Sequence, residues 1–313
     1  MQPLKRCLTG RNLKKRTSGD GKENAVIVMT YRAVYQEGKE QLKQAEITEA
    51  SLDARLLLEY TCGTDRNHMI LHGEQDIADN MILRYRELIW QRAAHIPLQY
   101  LTNRQDFMGL SFYVDENVLI PRQDTEILVE EIMKDQHDGK RILEIGTGSG
   151  CIILSLLKYS NSCQGTATDI SEEALSVARR NAESLGIDKD IINFVKTDIA
   201  VGIEGKFDII VSNPPYIETD EIKDLMPEVR DHEPVLALDG GVDGLQFYER
   251  ILKETKPLLA AGGKYYFEIG CRQGEALKNL FMEHGYNHVR IIKDYAGLDR
   301  VVCGERLYYG NKE

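Results

Sequence analysis

The residues Asn213-Pro214-Pro215-Tyr216 follow directly on an apolar run, Phe207-Asp208-Ile209-Ile210-Val211, and Ser212. A strand that empties into two prolines makes a stiff loop at its carboxyl end. Pro214 fixes its own φ, lacks a backbone donor and biases Asn213 toward an extended conformation, and Pro215 does the same to Pro214. The loop therefore holds a carboxamide, backbone carbonyls and an aromatic face in a fixed relation. Such a device suits gripping a planar amide or amine NH2 through both hydrogens while a ring packs against it. Taken alone, the same residues also describe a rigid turn after an edge strand.

A second group, Leu143-Glu144-Ile145-Gly146-Thr147-Gly148-Ser149-Gly150, lies between a predicted strand and a predicted helix. Glycines there let the backbone turn sharply and approach a ligand, and the helix start supplies free N–H groups. The spacing is GxGxG rather than the GxGxxG of dinucleotide binders, and no Lys-Ser/Thr follows as in a phosphate loop. Asp169 ends the next predicted strand, where an acid accepts both hydroxyls of a ribose. It also stands where an Asp would cap the helix beginning near Ser171. The loop and the acid together favour a nucleoside site. Asp198, after the third strand, is placed to face an adenine edge with Ile199 packing on the ring; an exposed turn Asp accounts for it nearly as well. The segment 231–241, Asp-His-Glu-Pro-Val-Leu-Ala-Leu-Asp-Gly-Gly, reads either as a lid beside the 213–216 loop or as a plain surface loop.

The elements that carry these groups follow from periodicity. After Gly139 strands and helices alternate, which predicts an α/β fold on a largely parallel sheet. Strands are expected near 141–146, 165–170, 191–196, 207–212 and 264–269, and helices near 150–159, 171–185, 244–257 and 272–284. Ser171 is the expected cap of the second helix, with Glu172 and Glu173 favourable in its first turn. Two late runs, 289–292 and 300–308, read as strands whose short connection excludes a crossover helix, so the last pair is antiparallel. Before this, residues 29–100 are helical in pattern: Leu52, Leu56 and Tyr60 recur at helical spacing up to Gly63, and Met81, Ile82, Tyr85, Leu88, Ile89 and Arg92 mark another helix stopped before Pro97. Residues 107–114 and 118–120 read as a hairpin around Asp115-Glu116-Asn117. Asp124 or Thr125 is then the expected cap of the helix carrying Ile127, Leu128 and Ile132.

The chain of 313 residues is long enough for one large and one small domain. Its net charge of −11 is uneven. Lys5, Arg6, Arg11, Lys14, Lys15, Arg16 and Lys22 against Asp20 and Glu23 make the first 24 residues +5, so the rest carries −16. An acidic body argues against phosphate-driven nucleic-acid binding. No apolar run approaches the ~18–20 residues of a membrane helix. The six cysteines show no CxxC pair, and the seven histidines show no metal spacing. No metal is expected. Reduced thiols and the lack of a secretory signal predict a cytoplasmic protein. Residues 1–28 are expected to be a basic, disordered extension, and Met29, where patterned sequence begins, is a candidate start.

In this order, the residues resemble class I S-adenosylmethionine-dependent methyltransferases, and within them the release factor glutamine methyltransferases, the HemK/PrmC family. The likeness runs from about Tyr31 to Tyr309. It includes Pro97-Leu98-Gln99-Tyr100-Leu101, Phe107-Met108-Gly109, Ile120-Pro121-Arg122-Gln123-Asp124-Thr125-Glu126, the glycine loop, 213–217, His232-Glu233-Pro234, Leu238-Asp239-Gly240-Gly241-Val242-Asp243-Gly244-Leu245 and Phe267-Glu268-Ile269-Gly270. The resemblance implies a Rossmann-like, seven-stranded, mostly parallel sheet with an antiparallel last strand behind a small all-helical domain. The implied domains are a helical substrate-recognition domain at 29–100, a hairpin linker at 101–124 and a methyltransferase domain at 125–313.

The resemblance also implies a reaction: methyl transfer from S-adenosylmethionine to the side-chain amide of the glutamine in the Gly-Gly-Gln loop of class I peptide chain release factors. It assigns Gly146, Thr147, Gly148, Ser149, Gly150, Asp169, Asp198, Ile199 and Asn213 to the cofactor. Asn213, Pro214, Pro215 and Tyr216 would hold the substrate glutamine, with Phe107 lining the pocket and with Asn213 and Pro214 as the catalytic pair. Two positions depart from the pattern: Gln123 stands where a second proline is usual, and Ile199 where an aromatic is common. An N6-adenine methyltransferase would use the same loop, but such enzymes need a basic face. A sister enzyme methylating a ribosomal-protein glutamine fits less well, because Asp124-Thr125-Glu126 favours the release-factor branch. A catalytically inert binding module would not need the intact loops.

Overall fold

A computed structural model of the chain describes residues 29–135 and 137–306, in two compact units divided after Thr102. The expected basic extension at 1–28 and the far end of the 300–308 strand lie outside the described residues.

The first unit is built on α1 (Tyr31–Gln44), α2 (Ala50–Cys62), α3 (Arg66–Leu71), α4 (Asp79–Ala93) and α5 (Leu98–Thr102). Thr30 caps α1 by accepting from the Ala33 N–H at 3.3 Å, and Gly63 ends α2 in the left-handed conformation. Two very short strands, β1 (Met29–Thr30) and β2 (Asp76–Ile77), pair antiparallel, a feature absent from the helical periodicity. On α4 the expected face is the buried one. On α2 it is not: Leu52 and Tyr60 are exposed, and Ala54, Leu57 and Leu58 enter the core instead. The rotation brings Asp53 inside, where its carboxylate accepts from the buried Arg92 guanidinium at 2.7 Å. Ala50, Ala54, Leu57 and Leu58 form a second apolar stripe at helical spacing, and it is this one that packs.

The second unit opens with β3 (Gln105–Phe107) and β4 (Leu110–Phe112), an antiparallel hairpin. Its turn is Met108-Gly109, both at positive φ, not the expected Asp115-Glu116-Asn117. That backbone twist matches paired strands, and glycine tolerates it. Residues 113–122 instead run as irregular chain with Val114, Val118 and Ile120 buried. They lead through a 3-10 turn, Gln123–Thr125, into α6 (Glu126–Lys134), at whose start neither Asp124 nor Thr125 makes a side-chain cap.

Strands and helices then alternate: β5 (Arg141–Ile145), α7 (Cys151–Lys158), β6 (Gln164–Asp169), α8 (Glu172–Ser184), β7 (Ile192–Lys196), β8 (Phe207–Ser212), α9 (Pro227–His232), α10 (Gln246–Glu254), β9 (Leu259–Glu268), α11 (Gly274–Glu283), β10 (Asn287–Lys293) and β11 (Asp299–Glu305). The seven-stranded sheet has the order β10-β11-β9-β8-β5-β6-β7. Strands β7, β6, β5, β8 and β9 are mutually parallel, and β11 runs antiparallel to both its neighbours. This is the expected α/β architecture. Alternate residues on one strand serve opposite faces. Ile142, Val211 and Tyr266 pack with α6 and α7, whereas Leu143, Ile210, Tyr265 and Phe267 pack with α10 and α11. Both faces are covered, so the central strands read as continuous apolar runs.

Chain order reverses at β5, which pairs with β6 on one side and β8 on the other. The carboxyl ends of strands beside such a reversal leave a crevice. Among the described residues, no helix is long and apolar enough to cross a membrane, and no group of three His, Cys, Asp or Glu is arranged to hold a metal ion.

Candidate active site

A cavity of about 440 Å³ opens at this crevice. Its floor is the loop after β5, where Gly146, Gly148 and Gly150 all take positive φ. The loop is pinned from β6. The Gly146 and Thr147 N–H groups donate to the Thr168 carbonyl at 2.9 and 3.0 Å, and the Gly148 N–H donates to Asp169 Oδ2 at 2.9 Å. From α8, the buried Asn181 carboxamide donates to the Ser149 carbonyl at 2.9 Å and exchanges bonds with the Tyr113 backbone at 2.7 and 3.0 Å. Beneath the loop, the fully buried Glu144 accepts from the Thr147 hydroxyl. Burial pushes the Glu144 carboxyl up to about 8, against the Thr147 and Ile153 hydrogen bonds that pull it down.

Asp169 closes the β6 end. Its Oδ1 accepts from the Ser171 N–H at 3.0 Å while Ser171 itself caps α8 by accepting from Ala174 N–H at 3.0 Å. Each Asp169 oxygen thus spends one lone pair on the backbone and keeps capacity for a ligand. Burial raises its pKa, opposed by those backbone N–H groups. Farther along, Asp198 and Ile199 stand on the wall with Phe247, Arg250 and Ile251 of α10. Arg250 donates to Asp198 at 2.9 Å. Ile199 holds φ at 53°, and its carbonyl accepts from the Thr168 hydroxyl at 2.8 Å.

Beside the glycine loop, from the end of the neighbouring strand β8, Asn213, Pro214 and Pro215 enter the wall. Asn213 Nδ2 donates to Thr125 Oγ1 at 3.4 Å, which leaves its Oδ1 as an acceptor. The following chain is held by a short parallel ladder: Ile217 N–H donates to Leu238 at 3.1 Å, and Gly240 N–H to Ile217 at 2.8 Å. The segment between adds Pro234, Leu236 and Ala237 to the wall. Its anchor is Glu233, which accepts from Arg122 at 2.5 Å and from the Ile120 N–H at 3.3 Å.

A family model described as the PrmC N-terminal domain matches residues 33–102, and one described as the methyltransferase small domain matches residues 122–230. A release factor glutamine methyltransferase of Clostridium acetobutylicum is 39% identical over 259 residues, covering 81% of this chain and 90% of that relative. One from Moorella thermoacetica is 41% identical over 282 residues, covering 89% and 99%. The chain belongs to the release factor glutamine methyltransferase family. Among solved structures, the fold is similar to the hMettl16 catalytic domain in complex with an RNA hairpin, with TM-score 0.51 and 20% identity over 72% of this chain and 83% of that one. At that identity the likeness concerns the fold alone.

In this release factor glutamine methyltransferase family member, Gly146, Thr147, Gly148, Ser149, Asp169, Asp198, Ile199, Asn213, Pro214 and Pro215 all face one cavity. Gly150, the cap residue before α7, is not among the residues that line it. Two more residues expected on the wall are elsewhere. Phe107 is buried edge-to-face against Phe112, because the true hairpin register turns it into the core. Tyr216 packs against the cluster under α10 and α11, with its hydroxyl donating to Glu268 at 3.5 Å, so the aromatic face of the loop points away from the cavity. The Arg122–Glu233 clasp and the α10 wall were not anticipated.

Proposed function

We propose that this chain transfers a methyl group from S-adenosylmethionine to the side-chain amide nitrogen of the glutamine in the Gly-Gly-Gln loop of class I peptide chain release factors. The observation that supports the reading is that Asn213 and Pro214 line the same cavity as the glycine loop and Asp169. Family membership supports the substrate. The residues present fit the cofactor: Asp169 retains lone pairs for ribose hydroxyls, the 146–150 loop lets a ligand approach its backbone, and Asp198 with Ile199 offers an acceptor and an apolar face to adenine. Bound there, S-adenosylmethionine supplies an electrophilic methyl on a sulfonium.

An amide nitrogen is a poor nucleophile because its lone pair is delocalised into the carbonyl. Asn213 Oδ1 and the Pro214 carbonyl each accept one N–H of the substrate amide, which builds electron density on nitrogen and aims it. Pro215 stiffens the grip, and Tyr216 supports it from behind rather than stacking on the substrate. Alignment of this kind removes several kcal/mol of a barrier. With S-adenosylmethionine held there, the nitrogen–methyl bond would form as the sulfur–methyl bond breaks, and the amide proton would leave afterwards to solvent. The helical unit serves substrate recognition. With release factors as substrates the protein works in the cytoplasm, and an acidic body of charge −16 supports contact with protein rather than nucleic acid.

The test is transfer of radiolabel from S-adenosylmethionine to a class I release factor, to its Gln→Ala loop variant and to nucleic acid. Label on the wild-type factor alone is expected. Label on the variant factor, or on nucleic acid only, overturns the reading. Asn213→Ala lowers turnover by roughly 100-fold or more while cofactor affinity persists, as for loss of an oriented polar group in other sites.

A further inference from the structure

Gln273 stands just before α11, yet its side chain makes no capping bond there. The carboxamide reaches instead to three separate pieces of backbone. Its Oε1 accepts from the Gly270 N–H at 2.9 Å, just past the end of β9. Its NH2 donates to the Tyr216 carbonyl at 3.1 Å and to the Gly244 carbonyl, just before α10, also at 3.1 Å. These partners fix which way the amide points, because a backbone N–H only donates and a carbonyl only accepts. Turned over, the group would set donor against donor and acceptor against two acceptors. The surrounding chain leaves room for the bridge. A Cβ on Gly244 would run into the Tyr216 carbonyl oxygen and lie 2.6 Å from Gln273 Nε2. The Gln273 N–H also donates to the Gly270 carbonyl at 2.9 Å, so the turn that carries the side chain is itself closed.

We infer that Gln273 is a positioning residue for methyl transfer: it clamps the Tyr216 carbonyl and so holds the Pro214 carbonyl, two residues earlier, where the substrate amide meets it. The inference rests on the proposed amide methylation. Pro214 and Pro215 have no N–H, so the part of the loop that grips substrate cannot be tied down through its own donors. Anchoring falls to the chain that follows, through the Ile217 ladder to residues 238–240 and the Gln273 bridge. Gln273 is not among the residues that line the cavity, so its effect on the reaction passes through the loop. Two replacements of similar size separate clamping from mere filling of space. Gln273→Met removes all three side-chain bonds. Gln273→Glu keeps the acceptor for Gly270 but, once ionised, turns lone pairs toward two carbonyls.

The experiment uses the full chain at pH 8.5, far above the ordinary range of a glutamate carboxyl. Single-turnover transfer of labelled methyl to a class I release factor is expected to fall roughly tenfold in Gln273→Met. In Gln273→Glu it is expected to fall roughly 100-fold, the scale of a displacement of about 1 Å at a positioned group. S-adenosylmethionine affinity by calorimetry stays near wild type. Amide hydrogen exchange supplies a readout that needs no turnover. The Ile217 N–H, which donates to the Leu238 carbonyl beside the clamp, is expected to exchange roughly tenfold faster in both variants while the β5 amides keep their rates.

A wild-type transfer rate in either folded variant overturns the inference. So does equal acceleration of the Ile217 and β5 amides, which would mean general loss of stability, and so does a rate loss with Ile217 exchange unchanged. If the wild-type protein does not label the release factor, the functional reading fails, and exchange at Ile217 alone still decides whether Gln273 clamps the loop.

Discussion

Gly240→Ala tests whether the ladder behind the Asn-Pro-Pro-Tyr loop sets its geometry. Gly240 has no cavity contact and donates from its N–H to Ile217 at 2.8 Å. A Cβ there would lie 2.7 Å from Tyr216 Cα and 2.9 Å from both the Pro215 carbonyl oxygen and Gly244 Cα. All three are backbone atoms, so no side chain can rotate away. Ordinary contact begins near 3.4 Å, so the 215–216 backbone must retreat by roughly 0.7 Å. A displacement of about 1 Å at positioned groups costs on the order of 100-fold in rate. We therefore expect single-turnover methyl transfer to slow by roughly 30- to 100-fold, and overpacking to cost about 1–3 kcal/mol of stability. Cofactor affinity is expected to hold, because the glycine loop and Asp169 are not in this contact. Rapid-quench transfer of labelled methyl to a release factor, with calorimetry for S-adenosylmethionine, measures both. A folded variant with an unaltered single-turnover rate would refute the claim that residues 238–240 position Asn213 and Pro214.

Other perturbations separate the remaining parts of the site. Asp169→Ala removes the ribose acceptor and the partner of the Gly148 N–H, and calorimetry should show S-adenosylmethionine binding weakened roughly 10- to 100-fold; an unchanged Kd would remove Asp169 from the cofactor site. In Arg122→Met the carboxyl of Glu233, whose pKa burial already raises against the pull of Arg122, loses its partner. Breaking a buried pair costs about 3–5 kcal/mol, but the Arg122 side chain is 36% exposed, so about 2 kcal/mol is expected. The loss should be small at pH 5 and grow toward pH 8 in denaturant melts, since a raised carboxyl is penalised only once the unfolded chain ionises; a flat pH dependence contradicts this. Glu144→Gln removes a carboxyl held near 8 in the fold. Wild-type stability should fall as pH rises from the unfolded carboxyl range toward 8 and level off above it, by at most about 5 kcal/mol at ~1.4 kcal/mol per unit. The variant should lack that slope, and equal slopes in urea midpoints between pH 5.5 and 8.5 would sink the assignment.

Local patterns carried much of this protein. Alternating apolar strands and helices, a connection at 293–299 too short for a crossover, and Ser171 before two glutamates are all consequences of hydrogen-bond geometry over a few residues. They were legible in sequence, and so were GxGxG, Asp169 and Asn213-Pro214-Pro215, because strand ends beside the chain reversal bring them to one crevice. Where several local solutions compete, the sequence is silent. The hairpin formed at Met108-Gly109, whose left-handed pair matches strand twist, rather than at the more polar 115–117. On α2 a competing stripe, Ala50, Ala54, Leu57 and Leu58, took the core in place of Leu52, Leu56 and Tyr60, and Asp53 came in beside it to meet Arg92.

The residue types and their order determined the class of fold and the kind of chemistry at the crevice. Tertiary structure alone decided which side chains face it. It turned Phe107 and Tyr216 inward, brought Phe247 and Arg250 to the wall, and joined Arg122 to Glu233 across 111 residues of chain. It also joined Asn213 to Thr125, 88 residues earlier. Such contacts depend on strand register and helix rotation, which local spacing does not encode.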